Sequence, residues 1–247
     1  MIGGGKGKVE DVDKSLLEHI EELRSVLIRC FVAILVVLPF ALMAAPSVLD
    51  WFVERILAGV KVELNYFSPV EVFVVQLKTA FVFTVALCSP YIANKIWDFV
   101  LPALYDREAR MGLRLGLASG FLFILGASFC IFLVLPLIVR FGISFSTPNI
   151  RPVLGISEVV NLGFWLTFSF GVMFQVPLVA FSLVRTGILP RKSVGSMRPY
   201  VIVGLLVVAA IVTPPDIISQ LMVFVPSYLL FEIGLFFAGK GAEKGGD

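Results

Sequence analysis

Long apolar stretches separated by short polar connections constrain this chain more than any other feature of its sequence. The chain has 58% hydrophobic residues, including 23 Phe, and only 15% charged residues. A chain of 247 residues with this composition carries more apolar surface than one soluble core could bury. We therefore predict an all-α polytopic membrane protein with six transmembrane helices. The predicted spans cover about residues 26–44, 70–95, 111–137, 159–184, 200–212 and 217–238.

Two of the predicted spans are short, and the fifth is the shortest. Its 13 uninterrupted apolar residues, 200–212, give a helix of about 20 Å, whereas the hydrocarbon core of a bilayer is about 30 Å thick. The turn TPPD at 213–216 follows as a hairpin. Helices of unequal length predict a tilted, concave wall. The 45–69 loop, with an interfacial helix around Trp51, is expected to cap it.

The two ends of the chain are too polar and Gly-rich to pack, and we predict a disordered tail at 1–14 and a loose tail at 239–247. Between them, residues 15–238 form one membrane domain. Ser15 and Glu18 fit a capping box that opens the first helix. Pro39 predicts a bend in the first span, and Pro136 helps to end the third. No cleavable signal peptide is expected, because a polar segment of about 25 residues precedes the first apolar run.

The distribution of basic residues predicts the orientation in the membrane. Six spans place both termini on one side, and that side carries 14 Lys and Arg, against four on the other. The positive-inside rule makes the richer side cytoplasmic. We therefore expect a multi-pass protein of the cytoplasmic (inner) membrane with both termini in the cytoplasm. No internal repeat of spans supports the inverted-repeat plan of many secondary transporters.

Acidic side chains on the predicted cytoplasmic side suggest a cationic ligand. A carboxylate in a partly desolvated groove can hold a guanidinium through two parallel hydrogen bonds. Alternatively, these acids are surface residues that pair with Arg24, Arg107 and Arg110. The acids are Glu18, Glu21 and Glu22 on the first helix, and Asp106 and Glu108 on the first cytoplasmic connection.

A second polar set lies within the spans. Each member either satisfies the backbone of a neighbouring helix near a kink, such as those expected at Pro177 and Pro226, or lines a wetted concavity. The first turns of the second span must face protein or water, because they carry charge. The set is Lys78, Asn161, Gln175, Gln220 and Glu232.

No enzyme constellation is visible. The chain has a single His, His19, and it has no nucleophile elbow and no Gly-rich phosphate loop. Cys30, Cys88 and Cys130 lie in apolar segments at no metal-binding spacing, so we interpret them as packing residues. We expect no catalysis, no cofactor, no metal and no nucleic-acid partner.

Six short motifs, in order along residues 15–238, resemble the TatC family, the multispanning core of the twin-arginine protein translocase. Each motif is weak alone, but all six stand at matching places in a six-span topology. They are HIEELR at 19–24, FVLPALYDRE at 99–108, FQVP at 174–177, RPYVIVG at 198–204, TPPD at 213–216 and FEIG at 231–234.

The resemblance implies a role for individual residues. Glu22 and Glu108 would bind the paired arginines of the signal peptide of a folded precursor, with Arg24 and Phe99 in the same region. Gln175 stands where relatives have Glu or Gln, which argues against a proton relay because an amide cannot change charge. The turn of Pro214, Pro215 and Asp216 would be periplasmic.

The resemblance also implies partners and an energy source. Span five would dock single-span TatA- or TatB-type subunits, and the chain would form a homo-oligomer within a larger complex in the lipid bilayer. Transport would be driven by the proton gradient, because no ATP site is present. Two other classes stay open: a small-solute secondary transporter, which would use Lys78, Gln175 and Glu232, and a purely structural scaffold.

Overall fold

The computed structural model describes residues 7–60, 62, 64–104, 109–147, 152–185, 191–213 and 217–241. In this part of the chain the architecture is all-α, apart from one pair of two-residue strands. The helices are α1 Gly7–Ile56, α2 Glu71–Leu104, α3 Ala109–Phe129, α4 Leu135–Ser144, α5 Ile156–Met173, α6 Val176–Arg185, α7 Arg191–Val212 and α8 Ile217–Gly241. The strands are β1 Leu64–Asn65 and β2 Leu154–Gly155.

Five helical segments are long and apolar enough to cross a membrane. A sixth, Arg198–Ile211 within α7, is apolar but shorter. The prediction of a multi-span helical protein with a short fifth span is therefore confirmed. The five long segments are Ile20–Ile56, Glu71–Trp97, Leu113–Ser144, Ile156–Leu183 and Ile217–Phe236.

The first helix is longer than the sequence predicts. It begins at Gly7, within the segment predicted to be disordered, so Ser15 lies inside the helix and the predicted N-cap there is wrong. Residues 8–14 contain neither Gly nor Pro, and nothing in them interrupts a helix that tertiary packing stabilises further along.

At its other end, α1 continues through Pro39 and Pro46 to Ile56. The separate interfacial helix predicted around Trp51 is therefore wrong, because these residues form the last turns of α1. Their packing explains the difference. Leu49, Phe52 and Ile56 are only 4%, 3% and 0% exposed, which offsets the backbone hydrogen bonds lost at the prolines.

Pro136 does not end the third span. A π-helical turn, Cys130–Val134, links α3 to α4, which continues to Ser144 with its proline in the first turn. The first turn of a helix tolerates a residue without an N–H. The wide π turn therefore carries the helix past the proline.

The main core surrounds α5. The most apolar part of Ile156–Leu183 is more than half buried, whereas that of Ile20–Ile56 is largely exposed. Phe170 is fully buried, and its ring lies 5.9 Å from Phe129 and 6.5 Å from Phe174. Aromatic pairs at this spacing pack favourably beyond the area they bury.

Small residues let α2 and α3 approach closely. A Cβ on Gly116 would lie 2.6 Å from the Cα of Asn94, and one on Gly120 would lie 2.5 Å from the Cα of Pro90. The two glycines are four residues apart and so lie on one helix face. This is the small-xxx-small arrangement that membrane helices use for close packing.

The connection between α1 and α2 is tied to the start of α5. β1 pairs in parallel with β2, which directly precedes α5. The Glu71 carboxylate accepts hydrogen bonds from the backbone N–H groups of Phe67 and Ser68 through Oε2 and from that of Ser157 through Oε1. One side chain therefore caps the N-termini of two helices.

The C-terminus of α1 has its own cap. Gly59 has a φ of 81°, which glycine adopts without strain. The Arg140 guanidinium donates a hydrogen bond to the carbonyl of Ala58. A cation from α4 thus meets the negative end of the α1 dipole.

Candidate functional site

Antiparallel packing of α1 and α2 positions the predicted ligand-binding residues. Ala80 is buried in a small cluster with Ala41 and Ala45. Further along, the Cys88 Sγ lies 3.8 Å from the carbonyl oxygen of Ala33. Moving toward the N-terminus of α1 therefore means moving toward the C-terminus of α2.

The same register brings Phe99 close to the HIEELR segment. Lys95 lies near Cys30, and one further turn places Phe99 level with residues 22–26. Phe99 is half-buried, whereas Glu22 and Arg24 are exposed. Neither charged side chain forms an ion pair with another described residue, so both face outward at this end of the helix pair.

The other predicted binding residue, Glu108, lies outside the described residues, as do Asp106 and Arg107. In the sequence, Glu108 lies between the end of α2 at Leu104 and the start of α3 at Ala109. Pro214, Pro215 and Asp216 also lie outside the described residues.

A groove runs along α2 between α3 and α5. It consists of two cavities of about 680 and 520 Å³, which share Val85, Phe123 and Phe168. The walls are almost entirely apolar, and several aromatic side chains on them are exposed. The groove gives the helix array the concave surface that the sequence predicts.

The first cavity contains one charged side chain. The Lys78 Nζ donates a hydrogen bond of 2.9 Å to the Oδ1 of Asn161 on α5. The Asn161 Nδ2 in turn donates to the Ser157 Oγ at 3.4 Å. Two of the five predicted intramembrane polar residues are thus in direct contact.

The second cavity contains Gln175 and Ser119. The Gln175 Nε2 donates to the carbonyls of Ser119 and Gly171. Gln175 lies at the break between α5 and α6, just before Pro177. It satisfies backbone groups at this kink and also faces the groove, so the structural and the concavity interpretations both describe it.

The remaining two polar residues lie elsewhere. The Gln220 Nε2 donates to the carbonyl of Leu206 at 3.1 Å, across the α7–α8 hairpin. Glu232 forms a bidentate pair with Arg198 at 2.8 and 2.9 Å and accepts a hydrogen bond from Tyr228. Apart from the Lys78–Asn161 pair, these residues form separate contacts and not one polar cluster.

Metal binding finds no support in the described part of the chain, where no group of three or more His, Cys, Asp or Glu side chains converges. The three cysteines lie on three different segments. Cys30 is half-buried, and Cys88 and Cys130 are buried. These positions suit the packing role predicted for them.

The sequence alone did not predict the contacts of three polar residues, Glu71, Arg198 and Ser119. Glu71 was expected to face protein or water, but its double cap was not predicted, because the second helix start is 86 residues away. The sequence shows Arg198 only as the first residue of the RPYVIVG motif, because its pairing with Glu232 depends on how α7 packs against α8. Ser119 had one signal: it lies beside the close-packing glycine Gly120.

Sequence comparison identifies relatives over nearly the whole chain. Residues 18–226 match the family Sec-independent protein translocase protein (TatC). The chain is 33% identical to TatC of Azotobacter chroococcum mcd 1, over 93% of this chain and 91% of that protein. It is 34% identical to TatC of Aquifex aeolicus (strain VF5), over 93% and 96%. It is 32% identical to TatC of Escherichia coli (strain K12), over 96% and 93%.

Solved structures similar to this chain belong to the same family as its sequence relatives. A crystal structure of the twin arginine translocase receptor TatC in DDM superposes with a TM-score of 0.81 at 33% identity, covering 89% of this chain and 99% of that one. A second crystal structure of the same receptor gives a TM-score of 0.81 at 32% identity, covering 91% and 99%.

Proposed function

The chain belongs to the TatC family of Sec-independent protein translocase proteins, and we propose that it is the subunit that binds twin-arginine signal peptides. Members of this family are non-enzymatic transport subunits that span the inner membrane of bacteria several times.

The observation that carries the proposal is the register of α1 and α2, which places Phe99 level with residues 22–26. The exposed Glu22 carboxylate is free to accept a guanidinium, and the connection that carries Glu108 follows α2 at the same end. Two carboxylates at one end of a helix pair suit two adjacent arginines, because each can form charge-assisted hydrogen bonds. Arg24 and Phe99 border this site.

The groove supplies a place for the apolar part of the signal. The second cavity lies nearer to Phe99, since its walls include Ile92, Ile96 and Trp97 on α2. An apolar segment that follows the two arginines would lie along these side chains, and its burial would add to the binding free energy.

The short fifth span is the proposed docking surface for single-span TatA- or TatB-type partners. Val203, Val207 and Ile211 are 60%, 53% and 70% exposed along one side of α7.

The complex would contain several copies of the chain, with both termini cytoplasmic, and the proton gradient would drive export. The alternative of a small-solute transporter is not favoured, because the intramembrane polar residues do not converge.

Site-specific photocrosslinking tests the binding site. A photoreactive residue is placed at position 22, 99 or 108, and a folded precursor with a twin-arginine signal is added to membranes. We expect crosslinks at all three positions, and their loss when the two arginines are replaced by lysines. Position 54, which is exposed at the opposite end of α1, is the matched control. Equal crosslinking at 54 and 22 would contradict the proposal.

A further inference from the structure

Lys78 is an exposed cation within the candidate span Glu71–Trp97 and on the wall of an apolar cavity. Its neighbours in the first cavity include Leu77, Phe81 and Trp165. Within the described residues its ammonium has one partner, the amide oxygen of Asn161. A neutral acceptor leaves the positive charge uncompensated.

The nearest carboxylates along the chain are engaged elsewhere. Glu71 lies two turns earlier on α2, and its two oxygens accept backbone N–H groups at two helix starts. Glu158 turns its carboxylate toward Gly155 at the start of α5. Among the described residues no carboxylate lies within 4.0 Å of the Lys78 Nζ. The described residues therefore supply no compensating anion, and one from another molecule can bind here.

The depth of Lys78 indicates the kind of molecule. It follows Glu71 by seven residues, or about 10 Å of helix. The 27-residue span is about 40 Å long and exceeds the hydrocarbon core of about 30 Å by about 5 Å at each end. Lys78 thus lies about 5 Å inside the hydrocarbon boundary, and its flexible stem reaches the phosphate level.

We propose that this cavity binds an anionic phospholipid, with the phosphate on the Lys78 ammonium and an acyl chain along the aromatic wall. The first cavity alone, of about 680 Å³, would hold only part of a partner helix. A helix about 10 Å wide would fit for only roughly six residues. A flexible acyl chain follows the groove instead, and the Ser157–Asn161–Lys78 hydrogen bonds hold the cation at its mouth. The lipid belongs to the leaflet on the side of β1 and β2.

Native mass spectrometry of the purified full-length protein tests the proposal. The probes are phosphatidylglycerol and phosphatidylcholine with identical acyl chains. We expect at least tenfold stronger retention of phosphatidylglycerol by the unchanged protein, because hydrogen bonds to charged groups are strong. Lys78→Gln should reduce this preference to that of phosphatidylcholine, and Lys78→Arg should keep it. Arg29→Gln, which removes another exposed cation within a span, should leave the preference intact.

A second variant keeps the lysine and tests its charge. Asn161→Asp gives Lys78 an internal carboxylate, so it should abolish the preference for phosphatidylglycerol even in a fully folded protein.

Trp165 reports on the acyl chain in a Trp51→Phe, Trp97→Phe background. Brominated phosphatidylglycerol should quench its fluorescence at a lower mole fraction than brominated phosphatidylcholine does.

Two results would overturn the proposal. One is equal retention of the two lipids by the unchanged protein. The other is an unchanged phosphatidylglycerol preference in both Lys78→Gln and Asn161→Asp. If Lys78→Gln instead prevents copurification of a single-span partner while lipid retention stays the same, the cation serves a carboxylate on that partner and the lipid site is refuted.

Discussion

Ser119 and Gln175 exchange hydrogen bonds across α3 and the α5–α6 break. The Ser119 Oγ donates to the Gln175 Oε1 at 2.6 Å, and the Gln175 Nε2 donates back to the Ser119 carbonyl at 3.1 Å. The side-chain amide therefore joins two spans at the point where one of them is interrupted.

Replacing either partner should destabilise this junction. Gln175→Leu leaves the Ser119 hydroxyl without its acceptor, which costs about 1–3 kcal/mol of unfolding free energy. Ser119→Ala should cost less, because Gln175 keeps its two backbone acceptors. A double-mutant cycle, measured by thermal unfolding in detergent, should show a coupling of about 1 kcal/mol. Additive effects would mean that the two side chains act independently.

Gln175→Leu should also impair export more than membrane insertion, because the amide faces the groove. Precursor export and membrane levels measured in the same cells test this. Normal export would reduce Gln175 to a packing residue.

Close packing of α2 and α3 predicts a strong effect at Gly120. The Cβ of Gly120→Val would lie 2.5 Å from the Cα of Pro90, so backbone must move. Overpacking of this kind costs typically about 1–3 kcal/mol. Gly204→Ala is the matched control, since nothing lies within 4 Å of an added Cβ there. It should be neutral or slightly stabilising in the same thermal unfolding assay.

The shared cap at Glu71 predicts that its charge matters for both helices. Glu71→Gln keeps one acceptor oxygen but removes the negative charge from two helix N-termini, which should cost about 1–2 kcal/mol. Hydrogen exchange should quicken at Phe67, Ser68 and Ser157 together. Glu54→Gln, a change at an exposed position on α1, should leave all three rates unchanged. Faster exchange confined to residues 67 and 68 would show that the bond to α5 contributes nothing.

The Arg198–Glu232 pair predicts the outcome of a charge exchange. Its side chains are 49% and 31% exposed, so the pair is worth only about 1 kcal/mol after solvent screening. Arg198→Glu places two carboxylates together and should lower the amount of protein in the membrane. Adding Glu232→Arg should restore most of it. Failure of the double exchange to recover any protein would assign each residue a separate role.

Signal binding predicts graded effects at Glu108. Hydrogen bonds to charged groups are worth about 1.5–3 kcal/mol, so Glu108→Ala should weaken precursor binding about tenfold to a hundredfold. Glu108→Gln should act almost as strongly, and Glu108→Arg should be worse through like-charge repulsion. Glu54→Gln, at the exposed opposite end of α1, is the control.

Membrane levels separate this role from a structural one. If Glu108 only holds its connection together by pairing with Arg107 or Arg110, truncation should lower protein levels while the surviving protein binds normally. Normal crosslinking by a stably inserted Glu108→Ala protein would contradict a role of Glu108 in signal binding.

Hydropathy and length predicted the spans well, because a membrane helix needs no knowledge of its neighbours to be recognised. The extent of α1 and the course of the chain past Pro136 were predicted wrongly, because both depend on contacts with other helices. Ile56 is buried by other helices, and Cys130 and Val134 of the π turn are buried in the same core. Local sequence rules place a proline at a helix end, but tertiary contacts override them.

For the polar residues, too, the sequence indicated which side chains need partners but not which partners they have. The sequence indicated that Lys78 and Glu232 must find partners, since charge in a span is costly. It could not indicate that Lys78 contacts Asn161, which lies 83 residues further along the chain. Such pairs follow from which helices lie side by side, and hydropathy carries no information about that.

The length of α1 sets how the proposed signal site relates to bilayer thickness. Its 37-residue membrane-crossing segment, Ile20–Ile56, is about 55 Å long. Even at a tilt of about 40° it exceeds the hydrocarbon core by roughly 10 Å. A thicker or thinner bilayer would therefore change which turns of α1 meet lipid tails, while α2 continues to hold Phe99 level with residues 22–26. The spacing within the site is thus independent of the thickness of the membrane around it.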